Sequence, residues 1–323
     1  MKLFKLGCAS EKWDALISHF RTQNINLSLL EKAGLILPRD GGGYYDRFRN
    51  RIIFPILDIK SRPIAFGARI LAGTDSNLSK YINSPETPIY TKGNNLYGLN
   101  FTKDAIREQD FAVIVEGYLD FIIPYQAGLH NIVASLGTAL TYEQVRLLKR
   151  YTHNVVMIYD PDDAGQMATL RTLDIFIEEG MDVKVVSLPQ GSDPDSFVRK
   201  NGSAALDEKI KLAQNLFDYQ LKVLKSRHDI KEAEGKRKIA AEMLLTIKKI
   251  KNAILRSEYI KKLAEELNVA EHYVLDEFNK IKETKPYPDS AAPALKKKSD
   301  INPTEKLLIK LMLEENRLIQ RIR

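Results

Sequence analysis

The sequence predicts an α/β protein: a parallel sheet covered on both faces, preceded by a basic α+β lobe and followed by a helical bundle. Three observations carry this. Four short apolar runs, FAVIVEG (111–117), NIVASLG (131–137), VVMIYD (155–160) and VKVVSLP (183–189), alternate with stretches of helical spacing. The runs are nearly unbroken, as in strands buried on both faces, and helical crossovers join parallel neighbours. Charge is segregated along the chain: residues 1–100 carry +6, residues 101–200 carry −6 and residues 201–323 carry +7.

The elements follow in chain order. Trp13, Leu16, Ile17 and Phe20 have helical spacing within residues 11–35. The GGGY at 41–44 is a break, and RIIFPILDIKSRPIAFGARI (51–70) reads as a β-hairpin turning at Lys60–Ser61–Arg62. Between the four strands lie YLDFIIPYQAG, TYEQVRLLKRY and AGQMATLRTLDIFIEEG; in the last, Met167, Leu170, Leu173 and Ile177 share a face and Gly180 stops the helix. From about 204 to 282 the chain is rich in Lys, Glu, Ala and Leu and reads as helical. KPYPDSAAPALKKKSDINP (285–303) has four prolines and no apolar period, a linker before a new helix. The expected domains are 1–108, 109–200, 201–282, a linker 283–302 and a further segment 303–323.

Composition narrows the class. A chain of 323 residues with 44% hydrophobic content can bury a core and suggests two or three domains. No run of about 18 apolar residues exists, so no transmembrane helix and no membrane partner are expected. The opening MKLFKLGCASEKW is charged too early for a signal peptide, and a cytoplasmic protein is the simple expectation. Cys8 stands alone, which excludes an internal disulfide and a multi-cysteine zinc site within these residues. An acidic middle between basic flanks suits a polyanion held beside a cation site; ordinary surface charge is the other reading.

Ligands of open α/β sheets gather beyond the carboxyl ends of the strands. Three acidic places fall there: Glu116 with Asp120, Asp160 with Asp162, and Asp193 with Asp195. Oxygen donors of this kind suit hard divalent cations, Mg²⁺ or Mn²⁺. Two such ions could activate a 3′-hydroxyl and offset the charge on a reacting phosphoryl group. A lone DxD also serves as a turn or a helix cap, and Asp163 reads as a cap. If residues 47–51 are extended, Arg47, Arg49 and Arg51 point to one face and make a phosphate-tracking stripe.

EGYLD (116–120) followed by DPDDAG (160–165) resembles the TOPRIM signature of primases, several topoisomerases and some nucleases. YDRFRNRIIFPI (45–56), KYINSPETPIYTKG (80–93), LYGL (96–99) and ASLGTALTYEQVRLLKRYT (134–152) resemble the bacterial DnaG-type primases, in that family's order. The resemblance covers nearly the whole chain. It implies a TOPRIM sheet between a basic lobe and a helical bundle, and synthesis of short RNA primers on a single-stranded DNA template from ribonucleoside triphosphates in DNA replication. It implies that Glu116, Asp160 and Asp162 are catalytic metal ligands, with Asp120, Asp193 and Asp195 at further acidic positions of the same site. It implies template and nucleotide contacts for Arg47, Arg49, Arg51, Lys80, Asn83 and Lys92. Tyr118 could touch a base or sugar, or be a packed ring. Pro161 stands where many family members have glycine, which a turn tolerates.

The resemblance also implies departures. The family's zinc module has no counterpart here, and His19, His130, His153, His228 and His272 are scattered. A domain binding the replicative helicase would begin near Pro303, so that interface is expected to be largely missing. LAEELNVAEHYVLDEF (263–278) resembles a helix-turn-helix, though helical packing explains its spacing as well. Two other functions stay open: another TOPRIM phosphoryl-transfer enzyme, such as a nuclease, and a non-catalytic single-stranded-DNA-binding fragment.

Overall fold

The computed structural model describes residues 2–71, 79–137, 140–159 and 174–281. Asp160, Asp162 and Asp163, the apolar face Met167–Leu170–Leu173, the linker and the segment 303–323 lie outside the described residues. In chain order the labelled elements are β1 (Gly7–Ala9), α1 (Ala15–Thr22), α2 (Leu27–Lys32), β2 (Ile36–Pro38), β3 (Tyr44–Asp46), β4 (Arg51–Leu57), β5 (Pro63–Ile70), β6 (Tyr81–Asn83), α3 (Leu99–Gln109), β7 (Ala112–Val115), α4 (Tyr118–Gln126), β8 (Ile132–Ala134), α5 (Tyr142–Lys149), β9 (Asn154–Tyr159), β10 (Asp182–Ser187), α6 (Pro194–Asn201), α7 (Ser203–Lys211), β11 (Gln214–Asn215), α8 (Leu216–Arg227), α9 (Ala233–Lys248), α10 (Ala253–Leu267) and α11 (Glu271–Lys280). Among the described residues no helix is long and apolar enough to cross a membrane.

The four apolar runs form β7 to β10, as their pattern predicts. The sheet order is β11-β10-β9-β7-β8, with β8, β7, β9 and β10 parallel and β11 an antiparallel edge. Alternate residues point to opposite faces. Val113, Val115 and Ile158 enter one core with Phe121, Phe197 and Leu206, while Ile114, Val155 and Met157 enter the other with Ile106, Leu148 and Leu216. Both faces are covered, which is why the runs carry almost no polar residue.

The order has a consequence for function. From β7 the chain steps outward to β8, then crosses back to β9 on the other side of β7. That reversal is a topological switch point, and it opens a crevice beyond the carboxyl ends of β7 and β9. Glu116 follows β7 directly, and Asp160 follows β9 in the sequence.

The basic lobe is built on the antiparallel sheet β1-β4-β5-β6. Its β4–β5 hairpin turns over Asp58–Arg62, where Asp58 Oδ1 accepts the amides of Lys60 and Arg62 at 2.9 Å each. The lobe shares a core with the parallel sheet. Tyr97 and Ala134 exchange backbone hydrogen bonds of 2.9 and 3.0 Å. Phe54 of β4 stacks on Tyr118 of α4 at 4.7 Å, and Tyr97 meets the same ring edge-on at 4.9 Å. Gly67 of β5 and Gly98 lie where a Cβ would enter the rings of Tyr118 and Phe121. Strand glycine here permits close approach of a ring to the backbone.

Gly67→Ala is therefore expected to cost about 1–3 kcal/mol, the scale of overpacking a filled core. Thermal unfolding of the variant measures it, and an unchanged melting temperature would mean that the Tyr118 ring is free to swing aside.

Candidate active site at the carboxyl rim of the sheet

Glu116 is exposed at the end of β7. Opposite it the chain leaving β8 turns through Leu136 and Gly137, both left-handed at φ +67° and +69°. Leu136 is buried, so this conformation is held by its surroundings rather than by a missing side chain. The turn brings the Gly137 N–H to Glu116 O at 3.1 Å. Asp120, in the first turn of α4, accepts from the Gly117 N–H with Oδ2 at 3.1 Å and from the Asp195 N–H with Oδ1 at 3.4 Å. It thereby joins α4 to the start of α6.

Asp193 and Asp195 flank that start. Asp193 is the N-cap of α6, its Oδ1 accepting from the Ser196 N–H at 2.7 Å, and Asp195 pairs with Arg199. Burial raises the Asp193 carboxyl, but the Ser196 hydrogen bonds and the charge of Lys80 outweigh it and hold it below the usual range. Tyr81 lies close to this group. Its hydroxyl is pushed up by burial and further by Asp120, Asp195 and Asp193, against the opposing charge of Arg69. Asp120, Asp193 and Asp195 are thus gathered on one side of the rim, facing Tyr81 and Lys80 of the basic lobe. These carboxylates are the hard oxygen donors that a divalent cation takes. Among the described residues no group of three acidic, histidine or cysteine side chains is arranged to hold a metal. Asp160 and Asp162 lie outside those residues.

The arginine stripe does not form, which corrects the expectation for residues 47–51. Strand β3 ends at Asp46, and Asn50 is left-handed at φ +49°, so the alternation that would align the three side chains is broken. Arg51 is 6% exposed and donates to the carbonyls of Ser79 at 2.9 Å and Lys80 at 3.4 Å. Arg47 donates to Asn83 O at 3.0 Å, and burial lowers its pKa. Arg49 donates to Asp46 O and lies over Trp13 at 4.0 Å from the ring centroid. Arg51 and Arg47 brace the backbone around Lys80 and Asn83.

Tyr118 is a packed ring. It is 3% exposed, so its face is not open to a base, and burial moves its hydroxyl far up from its usual range. That hydroxyl is 2.7 Å from the Asn83 amide in either amide orientation. The orientation that satisfies both ends turns Asn83 Nδ2 to Tyr118 and Ile82 O and Oδ1 to Lys92 Nζ at 3.3 Å. Lys92 is half-buried and its pKa is lowered by desolvation, with Glu86 opposing. Lys80 is exposed. The spacing predicts that Trp13 lies on an apolar helical face. It precedes α1, is 55% exposed, and carries Arg49 and Arg39 beside its ring at 4.0 and 5.5 Å. Exposed aromatic rings and guanidinium groups are the kinds of side chain on which single-stranded bases stack. The signal available in the sequence was a lone tryptophan in a basic segment.

Comparison with known proteins places these features in a family. Residues 1–103 match the DNA primase catalytic core, N-terminal domain; residues 113–198 match a Toprim-like domain; residues 217–272 match the DnaB-helicase binding domain of primase. The last match runs from α8 into the start of α11, well before Pro303, where the sequence predicts the helicase-binding domain to begin. DNA primases of Clostridium acetobutylicum and Halalkalibacterium halodurans are 42% and 39% identical over 85% and 83% of this chain. The chain spans about half the length of these curated relatives, 45% and 44%. A DNA primase domain from Pseudomonas aeruginosa superposes with a TM-score of 0.77 at 36% identity, covering 86% of this chain and 87% of that one. A DnaG primase catalytic domain bound to ssDNA superposes with 0.75 at 34% identity, covering 84% and 85%. Lobe, sheet and bundle match in the same order, and the chain belongs to the DnaG-type DNA primase family over that family's catalytic core.

Proposed function

We propose that this chain is a primase catalytic core that joins ribonucleotides into RNA on a single-stranded DNA template. The observation that carries the reading is an acidic rim at the switch point with Lys80 beside Asp193, in a lobe that shares its core and whose Asn83 meets Tyr118 of the rim segment. In the reaction the 3′-hydroxyl of the growing RNA attacks the α-phosphorus of a ribonucleoside triphosphate. The new P–O bond replaces the bond to pyrophosphate, and the hydroxyl proton is lost.

Toprim domains as a class bind divalent metal ions. Glu116, Asp160 and Asp162 would hold Mg²⁺ or Mn²⁺ here, with Asp120, Asp193 and Asp195 beside them. Bound divalent ions lower the hydroxyl pKa and offset the negative charge that develops on the phosphoryl oxygens. Lys92 and Lys80 take the triphosphate and template phosphates, and Asn83 orients Lys92. Trp13 with Arg39 and Arg49 takes template bases. A replicative helicase is the partner suggested by the family match over 217–272.

The test is RNA synthesis on single-stranded DNA with ribonucleotides and Mg²⁺ or Mn²⁺. Asp160→Ala and Asp162→Ala, each still folded, are expected to lower it about a hundredfold or more, the scale of losing one group that stabilises transition-state charge. Shortened DNA instead of new RNA would make the chain a nuclease. DNA binding with no product would make it a binding protein.

Asp193 allows cap and cation roles to be separated. Its pKa is lower when folded, so its stabilisation is present above the unfolded carboxyl pKa and is lost as pH falls through the folded value. Asp193→Ala should cost about 1 kcal/mol at neutral pH. That difference should narrow as pH falls through the folded value, leaving what the neutral acid still contributes as a cap. Asp193→Asn should keep the neutral part of the cap and lose only the share that belongs to the charge. Weaker Mn²⁺ binding by the Asn variant would then report a direct metal role, and unchanged binding would restrict Asp193 to capping.

A further inference from the structure

The two side chains that cap α5 also hold the turn that carries Lys92. Thr141 and Gln144 form a reciprocal capping box. Thr141 Oγ1 accepts from the Gln144 N–H at 3.2 Å, and Gln144 Oε1 accepts from the Thr141 N–H at 3.1 Å. A capping box needs nothing more. Here the remaining donors of both side chains reach into the basic lobe. Gln144 Nε2 donates to Asn95 O at 2.8 Å and to Lys92 O at 3.4 Å, and the Thr141 hydroxyl donates to Gly93 O. Gln144 is 0% exposed, so its amide has no water as an alternative partner. Glutamate would complete the box equally well, but a carboxylate has no hydrogen to give two carbonyls. The amide is what the turn requires. Gly93 allows the approach, since a Cβ there would press on Thr141 Cγ2 at 3.1 Å.

Lys92 is fixed at two more points. Its N–H donates to Glu86 Oε1 at 2.9 Å, and its ammonium lies 3.3 Å from Asn83 Oδ1. Among the described residues no carboxylate is within salt-bridge distance of that ammonium. A half-buried cation with a fixed backbone and a neutral amide partner gains most from an arriving anion.

We infer that Gln144 and Thr141 are positioning residues for the incoming ribonucleoside triphosphate. They act through Lys92 by anchoring the carbonyls of Lys92, Gly93 and Asn95 to the sheet domain. The inference rests on the reading above in which Lys92 meets the phosphates.

Equilibrium binding of a fluorescent ATP analogue with Mg²⁺, read by anisotropy on the whole chain, tests it, alongside KM and kcat for RNA synthesis. The variants are Lys92→Ala, Gln144→Glu, Thr141→Val, Thr141→Ser and the double Lys92→Ala/Gln144→Glu, each checked for its melting temperature. Gln144→Glu and Thr141→Val should weaken nucleotide binding about tenfold, a typical coupling between residues in contact. The loss should fall in KM rather than kcat. Thr141→Ser, which keeps the hydroxyl, should restore binding. In the Lys92→Ala background Gln144→Glu should cause no further loss. The inference is overturned if Lys92→Ala binds weakly while the Gln144 and Thr141 variants bind normally, or if the losses add. Binding by Lys92→Ala as tight as the parent would overturn the reading of Lys92 and the inference with it. Should Gln144→Glu fail to fold, the Thr141→Val and Thr141→Ser pair decides.

Discussion

The junction between lobe and sheet depends on the ring of Tyr118. It lies two residues after Glu116, so the residue that packs the lobe belongs to the segment that carries the rim carboxylate. The ring fills the space left by Gly67, stacks on Phe54 and takes the edge of Tyr97. Its hydroxyl meets Asn83, and burial keeps that hydroxyl neutral at any physiological pH. Asn83 in turn faces Lys92 and carries the carbonyl bound by Arg47. One buried side chain therefore links the segment that carries Glu116 to the segment that carries Asn83. Close packing makes that link stiff.

Carboxylates gathered at strand ends repel one another, and part of that cost is offset locally. Ser196 and Lys80 stabilise the charged form of Asp193, Arg199 pairs with Asp195, and backbone amides point at Asp120. On the facing side Lys92 has the opposite character, a cation partly desolvated and met by a neutral amide. In the proposed reaction the remaining imbalance on each side is met by divalent cations and by phosphates.

Helix caps serve as joints between elements. Asp120 in the first turn of α4 reaches the amide of Asp195 in α6. The box at the start of α5 reaches three carbonyls of the basic lobe. Each uses a donor or acceptor that capping leaves spare, which costs no additional buried polar group. The arginines of the lobe work in the same way. Arg51 and Arg47 satisfy backbone carbonyls around the 79–83 segment, and so they fix the places from which Lys80 and Asn83 project.

The parallel sheet was legible because its strands are buried on both faces, and that condition writes itself into the sequence as runs such as FAVIV and VVMIY. The hairpin over 51–70 and the ends of β7 and β10 were legible for the same local reason, and with them the rim positions of Glu116, Asp120, Asp193 and Asp195. Side-chain duty was not legible. Arg47, Arg49 and Arg51 have the same charge and even spacing, yet each has a different partner once the chain between β3 and β4 is folded. Tyr118 could equally have faced a base or the core until Gly67 and Phe54 were placed against it. Gln144 reads as an ordinary helix-start residue, because the carbonyls it holds are 49 and 52 positions away in the chain. By itself the sequence determined the family, the sheet and the acidic strand ends, since these depend on local burial and on short motifs. Only the tertiary structure decided which cations brace the backbone and which face the rim, because that choice depends on contacts between residues far apart in sequence.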